Sequence, residues 1–122
     1  WHLWRWCSVV RHAKGLQAAV NTARRVRAQA PGASATHPWQ RHELQTMALV
    51  AEAVTRAALL RDESRGTHYR RDCDEINAPR WQRQIAWRLE GEDLQPDLGA
   101  PISLPPELPD LQQHLEAAYG RR

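Results

Sequence analysis

The sequence predicts an all-α fold: a three-helix bundle followed by an extended segment and a proline-rich tail. Apolar residues recur at helical spacing in three stretches of the first sixty residues. The third stretch carries two apolar stripes, so other elements must cover it from two sides. Five prolines between residues 91 and 109 argue against regular structure there. In 122 residues we expect one modest core, with a helical domain over residues 1–90 and a tail over residues 91–122.

Composition and charge exclude several classes of protein. The net charge is only +3, and Asp and Glu are interleaved with Arg, whereas nucleic-acid binding needs basic residues gathered on one face. We therefore expect no nucleic-acid partner; filter binding at low and moderate salt would test this. No apolar run approaches the ~20 residues of a membrane span and no signal-peptide pattern opens the chain, so we expect a soluble protein that does not bind a membrane. Two cysteines are too few for a disulfide scaffold, so we expect reduced thiols in a cytoplasmic protein. Cys7 and Cys73 lack metal-ligand spacing even with His68 between them, so no metal site is predicted.

The first helix is predicted over residues 2–12. One face carries apolar side chains at i, i+3, i+4 and i+7, namely Leu3, Trp6, Cys7 and Val10. No capping residue precedes this pattern and the first residue is Trp1 rather than Met, so we interpret the chain as a piece of a longer polypeptide.

The second and third helices follow the same reasoning. An apolar stripe from Leu16 to Ala30 predicts the second helix, which Pro31 and Gly32 end. The third runs from about Trp39 to Arg61 with two stripes, one of them Leu44, Met47, Ala48, Ala51, Val54 and Ala58, and the other Val50, Ala53, Ala57 and Leu60. Glu52 and Arg56 form a favourable i, i+4 pair on the remaining face.

A highly ionic stretch, residues 61–72, interrupts the apolar pattern after the third helix. Gly66 is placed to end that helix through a left-handed cap. Further on, apolar residues alternate with polar ones from Trp81 to Leu89, which predicts a strand, although Trp81, Ile85 and Leu89 also fit helical spacing. No earlier segment supplies a partner strand, so we place that partner in another domain. Asp110 could cap a short last helix; the alternative is a poorly ordered tail.

These residues resemble a known family. The segment HELQTMALVAEAVTRAALLRDESRGTHYRRD, from His42 to Asp72, is similar to the long helix and ESRGxHYRxD turn of L-aspartate oxidases. The wider ESRGxHxRxD form is that of succinate dehydrogenase and fumarate reductase flavoproteins. LWRWCSVVR, GLQAAV and Trp81 resemble further segments of the same family, so the resemblance covers about residues 1–90. Ser8 and the Cys73-Asp74 pair depart from the family pattern.

The resemblance implies the C-terminal, spectrin-repeat-like helical bundle of a three-part enzyme. The other parts are an FAD-binding domain and a capping domain, which would be the partners of this chain. The whole enzyme oxidises L-aspartate to iminoaspartate, a step toward NAD. FAD then belongs to the full-length enzyme, because this chain has no GxGxxG turn to hold a pyrophosphate. We expect no cofactor, no catalytic residue and no activity in the chain alone.

The ionic stretch supplies the candidate site. We predict an interdomain docking surface made by Glu63, Ser64, Arg65, His68, Tyr69 and Arg70. Arg65 and Arg70 would be its main anchors, because desolvated guanidinium groups tend to dominate interfaces. Two alternatives stay open: Glu63 and Arg65 merely close the helix end and pair internally, or His68 or Arg65 touches substrate.

Two other functions are compatible with the sequence. The chain could be a free-standing helical interaction module anchored by Trp1, Trp4 and Trp6. It could also be the same helical domain from a succinate dehydrogenase or fumarate reductase flavoprotein. The tyrosine in the His68-Tyr69-Arg70 sequence favours the L-aspartate oxidases.

Overall fold

The structure is a computed structural model that describes residues 7–103. In chain order the elements are β1 (Val10–Arg11), α1 (Ala13–Gln29), a 3-10 turn (Ala30–Gly32), α2 (Pro38–Leu60), β2 (Tyr69–Arg70), α3 (Ala78–Trp81), β3 (Ile85–Glu90) and β4 (Asp93–Leu98). The described part is mostly helical, but two small sheets make it something other than all-α.

The two long helices pack against each other and form the centre of the core. Leu16, Ala19 and Val20 of α1 are buried, as are Ala48 and Ala58 of α2. The ring Nδ1 of His12 accepts a hydrogen bond from the Gly15 amide, which caps α1. Pro38 opens α2, where its missing N–H costs nothing. The second and third predicted helices are confirmed.

The predicted first helix is wrong in its extent: Cys7 is helical, but the chain has left the helix at Ser8 and does not continue it to residue 12. Residues 2–6 lie outside the described residues, whereas Val10–Arg11 form β1, which runs parallel to β2 with Val10 opposite Tyr69 and Arg11 opposite Arg70. The Arg71 amide donates to the Arg11 carbonyl at 2.9 Å. Backbone groups of β1, which would bond within the helix if it continued, therefore bond to the segment after α2 instead.

The strand at residues 85–90 is confirmed, but its partner lies in the same chain. β3 and β4 form an antiparallel hairpin closed by Gly91 and Glu92, with Gly91 at φ 62°. The prediction of a partner in another domain is wrong, and so is the exclusion of regular structure from residues 93–98. Pro96 faces Trp87, and counting from the two-residue loop makes this a non-hydrogen-bonded pair. The missing proline N–H therefore faces away from β3.

Two further sequence predictions concern this end of the chain. Trp81, the first residue of the alternating pattern, ends the short helix α3 instead and is buried. The helix proposed after Asp110 lies outside the described residues.

Among the helices that the structure describes, none is long and apolar enough to cross a membrane.

Candidate functional site

The candidate site is the turn that follows α2, residues 61–72, which we call the motif turn. The helix ends at Leu60 because Arg61 leaves the helical region at ψ 98°. This exposes the last helical carbonyls, and Nη1 of Arg70 reaches back to three carbonyl oxygens. It donates to Ala58 at 3.2 Å, Leu59 at 2.9 Å and Arg61 at 3.1 Å. A buried guanidinium thus caps the negative end of α2.

Arg70 also connects the ends of the two long helices. Its Nε and Nη2 donate to the two carboxylate oxygens of Asp72 at 3.0 and 2.6 Å. Oδ2 of Asp72 accepts the Ala13 amide at the start of α1 at 3.1 Å. The Arg70 bonds lower the pKa of Asp72 to about 2, and those same bonds raise the pKa of Arg70. One bidentate ion pair therefore joins the C-terminus of α2 to the N-terminus of α1.

Glu63 is a fully buried carboxylate at the centre of the turn. Its Oε1 accepts from Nη1 of Arg61 at 2.7 Å and Nε of Arg65 at 3.0 Å, and its Oε2 accepts the Asn77 amide at 2.7 Å. Burial by itself raises the pKa of Glu63, but the bonds from Arg65, Asn77 and Arg61 outweigh burial and hold the pKa below its usual value. Glu63 is therefore a charged hub inside this chain.

Arg61 extends the network from the hub to α3. Its guanidinium donates to the carbonyls of Trp81 at 2.9 Å and Arg83 at 3.2 Å. It also lies over the Trp81 ring, 5.3 Å from the centroid, which adds a cation–π contact. Arg61, the first residue after α2, thus holds the segment that follows the motif turn.

Ser64 and Gly66 shape the backbone of the turn. Oγ of Ser64 accepts the Arg70 amide at 2.8 Å and donates to the Cys73 carbonyl at 2.7 Å. Gly66 has a φ of 55°, which favours a residue without a Cβ, and it lies between Arg65 and His68, whose backbones exchange two hydrogen bonds. The prediction that Gly66 caps α2 is wrong, because the helix ended at Leu60 and Arg70 supplies the cap.

His68 joins the turn to the segment before α1. Its Nδ1 accepts from Nη1 of Arg11 at 2.6 Å, and its Nε2 faces the Arg61 carbonyl at 3.2 Å. Burial lowers the pKa of His68, and the guanidinium groups of Arg11, Arg61 and Arg70 lower it further. The imidazole is therefore a neutral link between two segments.

The six predicted docking residues all come together in the motif turn, but they face different ways. Glu63, Ser64 and Arg70 are buried and bond inside the chain, and His68 is half-buried. Arg65 and Tyr69 face outward, with 40% of the Arg65 side chain and 42% of Tyr69 exposed. Arg70, predicted as a main anchor for a partner, is instead the anchor of α2. The alternative in which Glu63 and Arg65 pair internally describes their observed bonding.

Sequence reasoning missed a second buried carboxylate. Glu52 of α2 is fully buried, although the i, i+4 pair with Arg56 placed it on the face left over by the apolar stripes. Oε1 of Glu52 meets Nε of Arg24 at 2.8 Å, Oε2 meets Nε of Arg27 at 3.1 Å, and Arg56 lies 3.4 Å away. Asp93 in the hairpin adds a carboxylate 3.5 Å from Arg24. We call these five residues the Glu52 cluster.

A signal for this cluster does exist in the sequence. Glu52 lies four residues after Ala48, a member of a predicted apolar stripe, and three before Thr55, and both of those residues are buried. A carboxylate on a buried stripe requires cationic partners from another element. Arg24 and Arg27, one turn apart on α1, supply them.

Both apolar stripes of α2 are covered only in part. An open groove of about 930 Å³ is lined by Val9, Met47, Val50 and Val54, and all four residues are more than half exposed.

Within residues 7–103, no group of three or more His, Cys, Asp or Glu side chains could hold a metal ion.

Two comparisons show which known proteins this chain is similar to. A family model described as "Fumarate reductase flavoprotein C-term" matches residues 2–106. A curated relative from Methanothermobacter marburgensis, one of the subunits of its fumarate reductase (CoM/CoB), is 54% identical over 43 residues. That alignment covers 35% of this chain and 8% of the relative, so the chain spans only a small part of the relative's length.

Proposed function

The chain belongs to the family of fumarate reductase flavoprotein C-terminal domains, and from that premise we propose that it braces the other domains of an FAD-dependent oxidoreductase. FAD belongs to the full-length protein. The chain contributes a rigid docking surface and no catalytic residue. The partners are the FAD-binding and capping domains of the parent protein.

The main support for this proposal is that the buried and the exposed side chains of the motif turn have different roles. The inward side chains use their hydrogen bonds to fix α2, α1 and α3, which leaves Arg65 and Tyr69 outward on a fixed backbone. A residue held in one position loses little conformational entropy on binding, so a preorganised arginine and tyrosine make effective interface anchors. The docking surface therefore centres on these two residues, and Glu63, Ser64 and Arg70 support it from behind.

The reaction of the parent protein is the finer part of the proposal. We infer a succinate dehydrogenase or fumarate reductase type, since the matching family and the 54% identical relative both carry fumarate reductase in their descriptions. L-aspartate oxidase, which forms iminoaspartate on the route to NAD, is the second candidate. It is favoured by Tyr69 between His68 and Arg70, as in the ESRGxHYRxD form of that group.

Reconstitution of the parent protein tests both parts. The chain is co-expressed with the matching FAD-binding and capping domains, and fumarate reduction and L-aspartate oxidation are assayed separately. We expect turnover with fumarate, none from the chain alone, and a loss of turnover for Arg65→Ala. The matched control is Arg88→Ala, an exposed arginine on β3 away from the turn. Equal turnover of the Arg65→Ala and parent proteins would refute the docking role, and turnover with L-aspartate alone would select the second candidate.

A further inference from the structure

A side-chain contact between His68 and Arg11 joins the paired strands β1 and β2. A guanidinium carries only donors, so Nδ1 of His68 accepts from Arg11, and a carbonyl only accepts, so Nε2 carries the hydrogen toward the Arg61 carbonyl. Both ring nitrogens are thereby committed in one neutral tautomer. A second proton has no place at Nδ1 while the Arg11 guanidinium lies 2.6 Å away.

The charges around His68 make protonation costly. It faces Arg11 from β1, Arg61 from the end of α2 and Arg70 from β2. Arg61 and Arg70 have carboxylate partners in Glu63 and Asp72. Among residues 7–103 Arg11 forms no ion pair: its Nε donates to the Cys7 carbonyl at 3.3 Å, and its guanidinium also bonds the Cys7 thiol. An imidazolium at this position would therefore meet, at hydrogen-bond distance, a guanidinium that has no carboxylate partner among residues 7–103.

We propose that His68 is an acid-operated latch: protonation at Nδ1 expels Arg11, unpairs β1 from β2, and frees the segment before α1 from the motif turn. The latch is a property of this chain and does not depend on the proposed docking role. If docking holds, opening the latch also alters the docking surface, because Val10 is paired with Tyr69 in the two strands.

The direction of the pH effect follows from the burial of the ring. Burial and the neighbouring guanidinium groups lower the pKa of His68 in the folded chain and together outweigh the bond to the Arg61 carbonyl, which raises it, so the unfolded chain binds this proton more readily. Stability then rises with pH wherever the unfolded state holds more protons. The contribution of the latch is complete above the unfolded value of about 6.5 and is lost as the pH falls through the folded value.

Amide exchange in the 122-residue chain reports the latch directly. The Arg71 amide donates to the Arg11 carbonyl and so connects β1 to β2, whereas the Cys73 amide, just after the motif turn, donates to the Arg70 carbonyl and does not involve β1. Both are followed by NMR from about pH 8 to about pH 5, together with the ring nitrogens of His68. We expect protection of Arg71 to fall relative to Cys73 as His68 becomes protonated. A constant ratio across the His68 titration would overturn the latch.

Variants separate the latch from general acid sensitivity. His68→Gln removes the titrating group, so the ratio of Arg71 to Cys73 protection should lose its pH dependence. His42→Gln changes an exposed histidine on α2 and should leave that dependence intact. Arg11→Gln removes the adjacent charge and should move the His68 titration upward. Titration of His68 at or above about 6.5 in the parent chain would also contradict the proposal, and that measurement needs no variant.

Discussion

Two fully buried glutamates, Glu63 in the motif turn and Glu52 in α2, hold this domain together in different ways. Glu63 takes its guanidinium partners from two residues away on either side, and its most distant partner, Asn77, is 14 residues away. Glu52 draws Arg24 from 28 residues away and shares its arginines with Asp93 in the hairpin. A local ionic network leaves a compact motif in the sequence, whereas a long-range one leaves only scattered residues.

The arginine partners of the two glutamates also have different roles. The partners of Glu52 join α1, α2 and the hairpin turn, and Nη2 of Arg27 donates to the Glu92 carbonyl. The partners of Glu63 split between Arg61, which reaches α3, and Arg65, which reaches solvent. The Glu52 cluster therefore supports tertiary packing, while the motif turn supports packing and also presents a surface.

The largest predicted effect is on the Glu52 cluster. Glu52→Gln removes the charge that compensates three arginines, two of them largely buried. Breaking a buried ion pair in this way costs about 3–5 kcal/mol of unfolding free energy. Urea unfolding measures the loss, and Glu43→Gln, at an exposed position of the same helix, is the control. A loss no larger than that of the control would mean that the cluster adds nothing to stability.

A second substitution tests whether the ion pairs of Glu63 stabilise the fold less than those of Glu52. Glu63→Gln leaves Arg61 without a carboxylate, but Arg65 can turn to solvent, so we expect a loss of about 2–3 kcal/mol. The same urea titration reports it, with Glu75→Gln as the exposed control. A loss greater than that of Glu52→Gln would reverse the ranking of the two carboxylates.

The backbone of the motif turn should show a smaller effect. Gly66→Ala places a Cβ on a residue at φ 55°, which costs about 1–2 kcal/mol although no neighbouring atom lies within 4 Å. Gly32→Ala is the matched control, because that site also has open space and lacks a positive φ. Thermal unfolding of the two variants tests this. Equal melting temperatures would show that the turn relaxes freely.

A further effect is the acid dependence of the Arg70–Asp72 pair. The folded pKa of Asp72 is about 2, below its usual 3.8, so the pair stabilises the fold above that usual value and is lost as the pH falls through about 2. Asp72→Asn should remove this part of the acid sensitivity, as measured by urea midpoints at several acidic pH values. An unchanged acid profile in the variant would indicate that other carboxylates account for it.

The sequence predicted what depends on neighbouring residues and missed what depends on distant ones. The periodicity of α1 and α2 identified both helices, and the motif brought six candidate residues into one turn. Periodicity could not show that the backbone of Val10 pairs with Tyr69, since that pairing joins segments far apart in the chain. Proline counting failed at Pro96, because a proline is tolerated where its absent N–H faces away from the partner strand. The inward orientation of Arg70 required the positions of the α2 carbonyls.

The buried members of the motif turn hold the fold, and the exposed ones are proposed to bind the parent protein. Arg61 and Arg65 are a matched pair for testing this central claim, since both donate to Oε1 of Glu63, at 2.7 and 3.0 Å. The measurement is unfolding free energy and affinity for the remaining domains of the parent, for Arg61→Ala and Arg65→Ala.

We predict a clear separation between these two variants. Arg61→Ala should cost about 2–3 kcal/mol of unfolding free energy, because Trp81 and Arg83 also lose a bond. Arg65→Ala should cost less, about 1 kcal/mol of stability, because Arg65 is 40% exposed and the buried Glu63 keeps its bonds from Arg61 and the Asn77 amide. It should weaken binding at least tenfold, about 1.4 kcal/mol. Undiminished affinity of the Arg65→Ala chain for the parent domains would contradict the docking role.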